Sequence, residues 1–236
     1  MLVQVPWLAM LVLLPHAVPT DTGRGVVHSV QHADSPTPGP TEEDLGAEFR
    51  RSREMLRASP EFQGDTADAH YRLGKALHHR GDMVGGAEEY RLALRRDPRL
   101  GDAYRDLGAL LLDWHDYPGA IAALEQAVQL GQQDAETYYW LGRGLMGKSD
   151  WPAAAAAFET ATRMKPDDAE AYADLGLVRM VQGDVTGATE ALRASIELKP
   201  DNADAHALLE TLTLHHSDRD QAIQAAQKVL AVMFRR

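Results

Sequence analysis

Few residues in this chain have a type and spacing that could carry out chemistry. His28 and His32 stand at i, i+4, which places two imidazoles on one face of a helix where they could hold a metal ion. The chain around them is polar, and Pro36, Pro38 and Pro40 alternate through it, so the expected form is an extended tether and not a helix. His78 and His79 are adjacent, and imidazoles change charge near neutral pH. They are candidates for a pH-sensitive contact, with a simple exposed polar pair as the plainer reading. Cysteine is absent (Cys 0), which excludes disulfides, thiolate catalysis, cysteine-ligated zinc and a lipidated cysteine. No glycine-rich phosphate loop follows a strand, and no nucleophile, base and oxyanion-stabilising group converge. The sequence therefore predicts a protein that is not an enzyme, with no cofactor and no metal site.

Composition narrows the partners. The formal net charge is −11, with the 35 acids spread along the chain, so the concentrated basic surface that nucleic acid requires is missing. Aromatic residues make up 6% while alanine and leucine abound, a bias toward closely packed helices. Leu2 to Leu14 is nearly all apolar, interrupted by Gln4 and Pro6, and Ala17 follows. As a helix that stretch reaches ~20 Å against a bilayer core of ~30 Å, so a secretory leader over residues 1–17 is expected and a stable membrane span is not. The first basic residue is Arg24, a departure from the usual basic start of such a leader. The expected location is periplasmic or secreted if the leader is genuine, and cytoplasmic otherwise. Residues 18–41 read as a proline-bearing linker.

The elements beyond that linker repeat. In a 34-residue frame beginning at Ala67, the seventh position is Leu73, Leu107, Leu141, Leu175 and Leu209. The eighth is Gly74, Gly108, Gly142 and Gly176, with Glu210 in the last unit. The sixteenth is Asp82, Asp116, Asp150, Asp184 and Asp218. Positions four, seven, eight and eleven (Tyr138, Leu141, Gly142 and Leu145 in the third unit) form one helical stripe. Glycine inside a helix costs about 1 kcal/mol relative to alanine, so its recurrence points to a second helix crossing too closely for a side chain. The recurrent Asp suits the N-cap of that second helix, and Pro118 and Pro152 sit just inside it. A second stripe (Ala154, Phe158, Ala161, Thr162) then runs toward Pro166, while Pro98 and Pro200 close the first and fourth units. Each unit is thus a helical hairpin that completes its burial by stacking on the next.

The frame resembles the tetratricopeptide repeat, whose cue is a W-x2-L-G-x2-Y pattern followed by small and aromatic residues and a proline. His70 and His206 depart from the aromatic of that cue, and Gln132 stands where the proline belongs. The resemblance implies an all-α, right-handed superhelical solenoid of antiparallel helix pairs, with units 67–100, 101–134, 135–168, 169–202 and 203–236. The last unit is expected to act as a cap, and residues 42–60 as an N-terminal capping helix built on Leu45, Phe49, Met55 and Leu56. Position two is acidic in every unit (Asp68, Asp102, Glu136, Glu170, Asp204), which complements the positive start of each first helix.

In this family the first helices line a concave groove that holds an extended peptide or a partner helix. By that resemblance the groove residues are Tyr71, Lys75 and His78, then Arg105, Ala109 and Leu112, then Tyr139, Arg143 and Met146, then Ala173, Leu177 and Met180. Lys75, Arg105 and Arg143 imply a ligand with acidic or polar groups at one end, and the unit-four residues imply an apolar anchor at the other. The plainer alternative is that those cations balance acids across helices. The carboxylate clamp of the chaperone-binding members is absent, since its places hold Tyr71, Lys75, Asp106, Glu136 and Trp140. The expected role is a protein-interaction scaffold or adaptor for another protein or peptide. The alternative is a structural or assembly subunit of a larger cell-envelope complex.

Overall fold

The computed structural model describes residues 42–62, 64–214 and 219–233, so the leader, the linker, the His28–His32 pair and Asp218 lie outside the described residues. Within them the chain is an all-α solenoid. Helix α1 (Glu42–Ala58) and a 3-10 turn (Pro60–Phe62) precede five hairpins. These are α2 (Ala67–His79) with α3 (Met83–Arg96), α4 (Gly101–Asp113) with α5 (Tyr117–Gln129), and α6 (Ala135–Gly147) with α7 (Trp151–Met164). The last two are α8 (Ala169–Val181) with α9 (Val185–Leu198), and α10 (Ala203–Leu214) with α11 (Arg219–Met233). Among the described residues no helix is long and apolar enough to cross a membrane.

Local chemistry sets the helix ends. Asp82, Asp116, Asp150 and Asp184 each accept a hydrogen bond from the backbone N–H three residues on, capping α3, α5, α7 and α9. The residue before each cap has positive φ: Gly81 (83°), His115 (56°), Ser149 (63°) and Gly183 (72°). A left-handed residue there reverses the chain between the two helices of a hairpin.

A knob and a hole hold each of the first four hairpins together. A Cβ added to Gly74 would lie 2.7 Å from the Tyr90 ring, and one on Gly142 would lie 2.8 Å from Phe158. In the same way Gly108 faces Leu124 and Gly176 faces Leu192, each at 2.6 Å. Tyr90, Leu124, Phe158 and Leu192 are all essentially buried, each stabilising by roughly 1.5–3 kcal/mol. The fifth hairpin lacks both parts, with Glu210 in the glycine position and Ala226 in that of the large residue. It is correspondingly open: α11 meets α10 little and lies instead against α8.

At the other end α1 docks through charge as much as through apolar contact. Leu56 joins Leu73 and Leu77 in a small core, whereas Met55 is exposed. Arg53 grips the buried Asp82 carboxylate with two bonds of 2.9 Å, and Arg57 reaches the buried Glu89. Glu89 also meets His70 Nδ1 at 2.6 Å, so a buried charge is surrounded by partners.

Candidate peptide-binding groove

The first helices touch along the array, α2 with α4, α4 with α6 and α6 with α8, whereas no two successive second helices come as close. Helices approach one another on the inside of a bend and splay on its outside, so the first helices line the concave face. Helix geometry puts positions five, nine and twelve of each unit on that face, turned away from the knob-and-hole stripe.

Eight of the expected groove residues are half-buried there: Tyr71, Lys75, His78, Arg105, Ala109, Leu112, Tyr139 and Arg143. His79 and Asp113 are exposed beside them. The other four are corrections. Met146, Ala173, Leu177 and Met180 are buried at 1%, 8%, 2% and 1% exposure, and they do not line an open surface. The unit-four residues share a core cluster with Ala222, Ala226 and Leu230 of α11, which covers the inner face of α8.

The cations differ in what they can offer a ligand. Arg105 is spent within the array, since its guanidinium lies 3.0 Å from Asp106 and 3.4 Å from both Asp102 and Asp134. Burial opposes its charge, and Asp106, Glu136 and Asp102 together outweigh burial and hold the guanidinium charged. Arg143 lies 5.9 Å from the Trp140 ring centre and 4.0 Å from Asp174. Lys75 sits 5.7 Å over the Tyr71 ring and, among the described residues, has no carboxylate within 4.0 Å. The expectation of three open cations narrows to one, and balancing of acids across helices accounts for the other two.

The groove floor holds two inter-unit contacts between a tyrosine and an aspartate. Tyr71 donates its hydroxyl to Asp106 at 2.9 Å. Tyr139 and Arg143 both face Asp174, whose pKa burial raises to about 6 against the opposing pull of Arg143. Burial also lowers the pKa of His78, which favours the neutral ring at pH 7. His78 lies edge-on to Tyr90 with ring centres 6.4 Å apart, so it seals the floor as well as facing the groove. Among the described residues no group of His, Asp and Glu side chains is arranged to hold a metal.

Sequence reasoning missed the two aspartates, although a signal was present. Tyr occupies position five in units one and three, and Asp occupies position six in units two and four. At the end of α6 the Tyr117 ring of the preceding unit fills the space that a Cβ on Gly147 would need.

Comparison with known proteins agrees with this architecture. One tetratricopeptide repeat family model matches residues 47–101 and another matches 141–213. No curated protein matches the chain. A MamA crystal structure is similar at 28% identity with a TM-score of 0.61, covering 72% of this chain and 92% of that one. YrrB, described as a TPR protein with an unusual peptide-binding site, is 20% identical with a TM-score of 0.60, covering 78% of this chain and 90% of its own. PilF of Pseudomonas aeruginosa is 20% identical with a TM-score of 0.61, covering 80% and 88%.

Proposed function

Since this chain is a tetratricopeptide-repeat protein, we propose that it is an interaction scaffold holding a partner peptide or helix across the inner faces of α2, α4 and α6. The observation that carries the reading is the half-buried surface formed there by Lys75, Ala109 and Leu112. These side chains lie outside the knob-and-hole contacts, so ligand binding costs the fold little. Ala109 and Leu112 offer an apolar strip in the middle of the array. Lys75 over Tyr71 offers one cation at the unit-one end, suited to an acidic group on the partner.

A photo-crosslinking residue placed at Ala109 in the source cell tests this against an identical one at the exposed Ala122 of α5. Partner adducts from position 109 and none from 122 are expected. Adducts from 122 alone would overturn the groove reading. They would favour assembly through the outer helices, where Met164 and Leu198 stand exposed one repeat apart at the ends of α7 and α9.

A further inference from the structure

We propose that the inner face of α8 is a helix-docking surface which α11 fills in cis, so that a partner helix must displace α11 to reach it. The inference rests on the groove reading above and extends it to the fourth unit. Three observations carry it together.

First, α11 does not take the place its own hairpin provides. In the other four units a large residue enters the space over a glycine, whereas here Glu210 holds the glycine position and Ala226 that of the large residue. Close crossing of α10 is lost, and α11 lies against α8 instead.

Second, α11 covers on α8 the surface that units one and two leave open. The inner-face residues of unit four, Ala173, Leu177, Met180 and Val181, are all buried. Their counterparts in units one and two, from Tyr71 through Asp113, are half-buried or exposed. An uncovered α8 would present four apolar side chains on one face, a surface that calls for an apolar occupant.

Third, α11 has the form of a groove ligand. Ala222, Ala226 and Leu230 are spaced i, i+4, i+8 on its buried face, and Asp220, Gln224, Gln227 and Lys228 are exposed. Two alanines allow a close approach to α8, and Leu230, with the partly buried Val229 next to it in sequence, anchors one end. The partner that fits is an amphipathic helix with the same small, small, large stripe, entering as helix-in-groove ligands do. With so few large side chains at the contact and little hold from α10, α11 should open locally, before the rest of the array unfolds.

Because the chain has no cysteine (Cys 0), a single introduced thiol reports access to one chosen site. Leu177→Cys and Leu192→Cys compare two leucines at 2% and 0% exposure, one beneath α11 and one inside the α8–α9 hairpin. In the native full-length chain, Leu177→Cys should react with a maleimide at least about ten-fold faster than Leu192→Cys, as local opening requires. Equal rates would mean that exposing α8 needs global unfolding and would overturn the proposal. Ala226→Arg in α11 should raise labelling at position 177 at least about ten-fold further and leave position 192 within about two-fold. That variant should also bind a synthetic peptide of residues 219–233 at least about ten-fold more tightly than the wild type, since the cis competitor is gone. A folded Ala226→Arg chain with no gain in peptide binding would overturn the docking surface. If that variant does not fold, the labelling ratio in the otherwise native chain still decides. Adducts at Ala109 together with equal labelling rates would leave the scaffold standing and remove the gate; fast labelling without adducts would do the reverse.

Discussion

Tyr71 of the first hairpin donates its hydroxyl to Asp106 of the second across 2.9 Å, and the two are one repeat plus one residue apart. The same step in sequence separates Tyr139 from Asp174. Adjacent first helices are thus tied on the concave side, where they approach most closely. Asp106 is also held by Arg105 at 3.0 Å, so losing the tyrosine donor leaves its carboxylate partnered. Tyr71→Phe should therefore cost only about 1 kcal/mol, the net worth of one hydrogen bond, measured as a shift in the urea midpoint at unchanged slope. A double-mutant cycle with Asp106→Ala should return a coupling of similar size; a coupling near zero would show that the bond does not tie the units.

Asp174 gives the array a pH dependence whose sign can be worked out. Its folded pKa is raised to about 6, above the roughly 3.9 of an unfolded aspartate, because its side chain is only 15% exposed. The folded state therefore binds the proton more tightly. That contribution is complete below about pH 4 and is lost as pH rises through about 6. Asp174→Asn, which mimics the protonated side chain, should be more stable than the wild type at pH 7 by roughly 2 kcal/mol. The gap should close as pH falls toward 4. Chemical denaturation of both proteins across that range reads the difference while the other acids cancel. A gap that stays constant with pH would show that Asp174 is ordinary.

The repeat was legible because its signals are local. A glycine at position eight and a large residue at position twenty-four both fall on helical stripes, and Asp82, Asp116, Asp150 and Asp184 mark where each second helix starts. The openness of the groove was not legible, because it depends on what covers each residue. Position and chemistry made Leu177 and Met180 resemble groove residues, but whether solvent reaches them is decided by α11, some forty residues downstream. Arg105 likewise reads as an available cation until Asp134, from the loop before α6, is placed beside it. The loss of knob and hole at Glu210 and Ala226 was visible as an irregular last unit. Its consequence, a helix turned onto α8, needed the third dimension.

The positive φ before each cap is a site where the sequence has not settled on the residue the backbone prefers. Gly81 and Gly183 hold it without strain, whereas Ser149 adopts φ 63° with a side chain. A left-handed non-glycine costs about 1–2 kcal/mol, and glycine gives back about half of that in chain entropy. Ser149→Gly should accordingly stabilise the protein by about 0.5–1 kcal/mol in thermal or urea unfolding, and Gly183→Ala should destabilise it by a similar amount, about 0.5–1 kcal/mol. His115→Gly should gain less than Ser149→Gly, because His115 Nδ1 and the Tyr117 hydroxyl share a 2.7 Å hydrogen bond that the change removes.

The capping helix tests whether the amino-terminal end of the array unfolds by itself. Arg53 holds both oxygens of Asp82, and Asp82 also caps α3 by accepting from the Gly85 N–H at 2.8 Å. Truncating Arg53 removes the charge partner of a carboxylate that is 3% exposed and leaves that carboxylate with its backbone donor. A charge-assisted bond of this kind is worth about 2 kcal/mol. In a repeat array, where each element contacts only its neighbours, the loss should fall on α1 before it spreads. Arg53→Ala should therefore raise amide exchange throughout Glu42–Ala58 while α4 to α9 keep their protection, read by hydrogen exchange with mass spectrometry. Equal acceleration in every helix would show that α1 belongs to the same cooperative unit as the repeats. The charged contacts to Asp82 and Glu89 would then serve the stability of the whole array, not the docking of one helix.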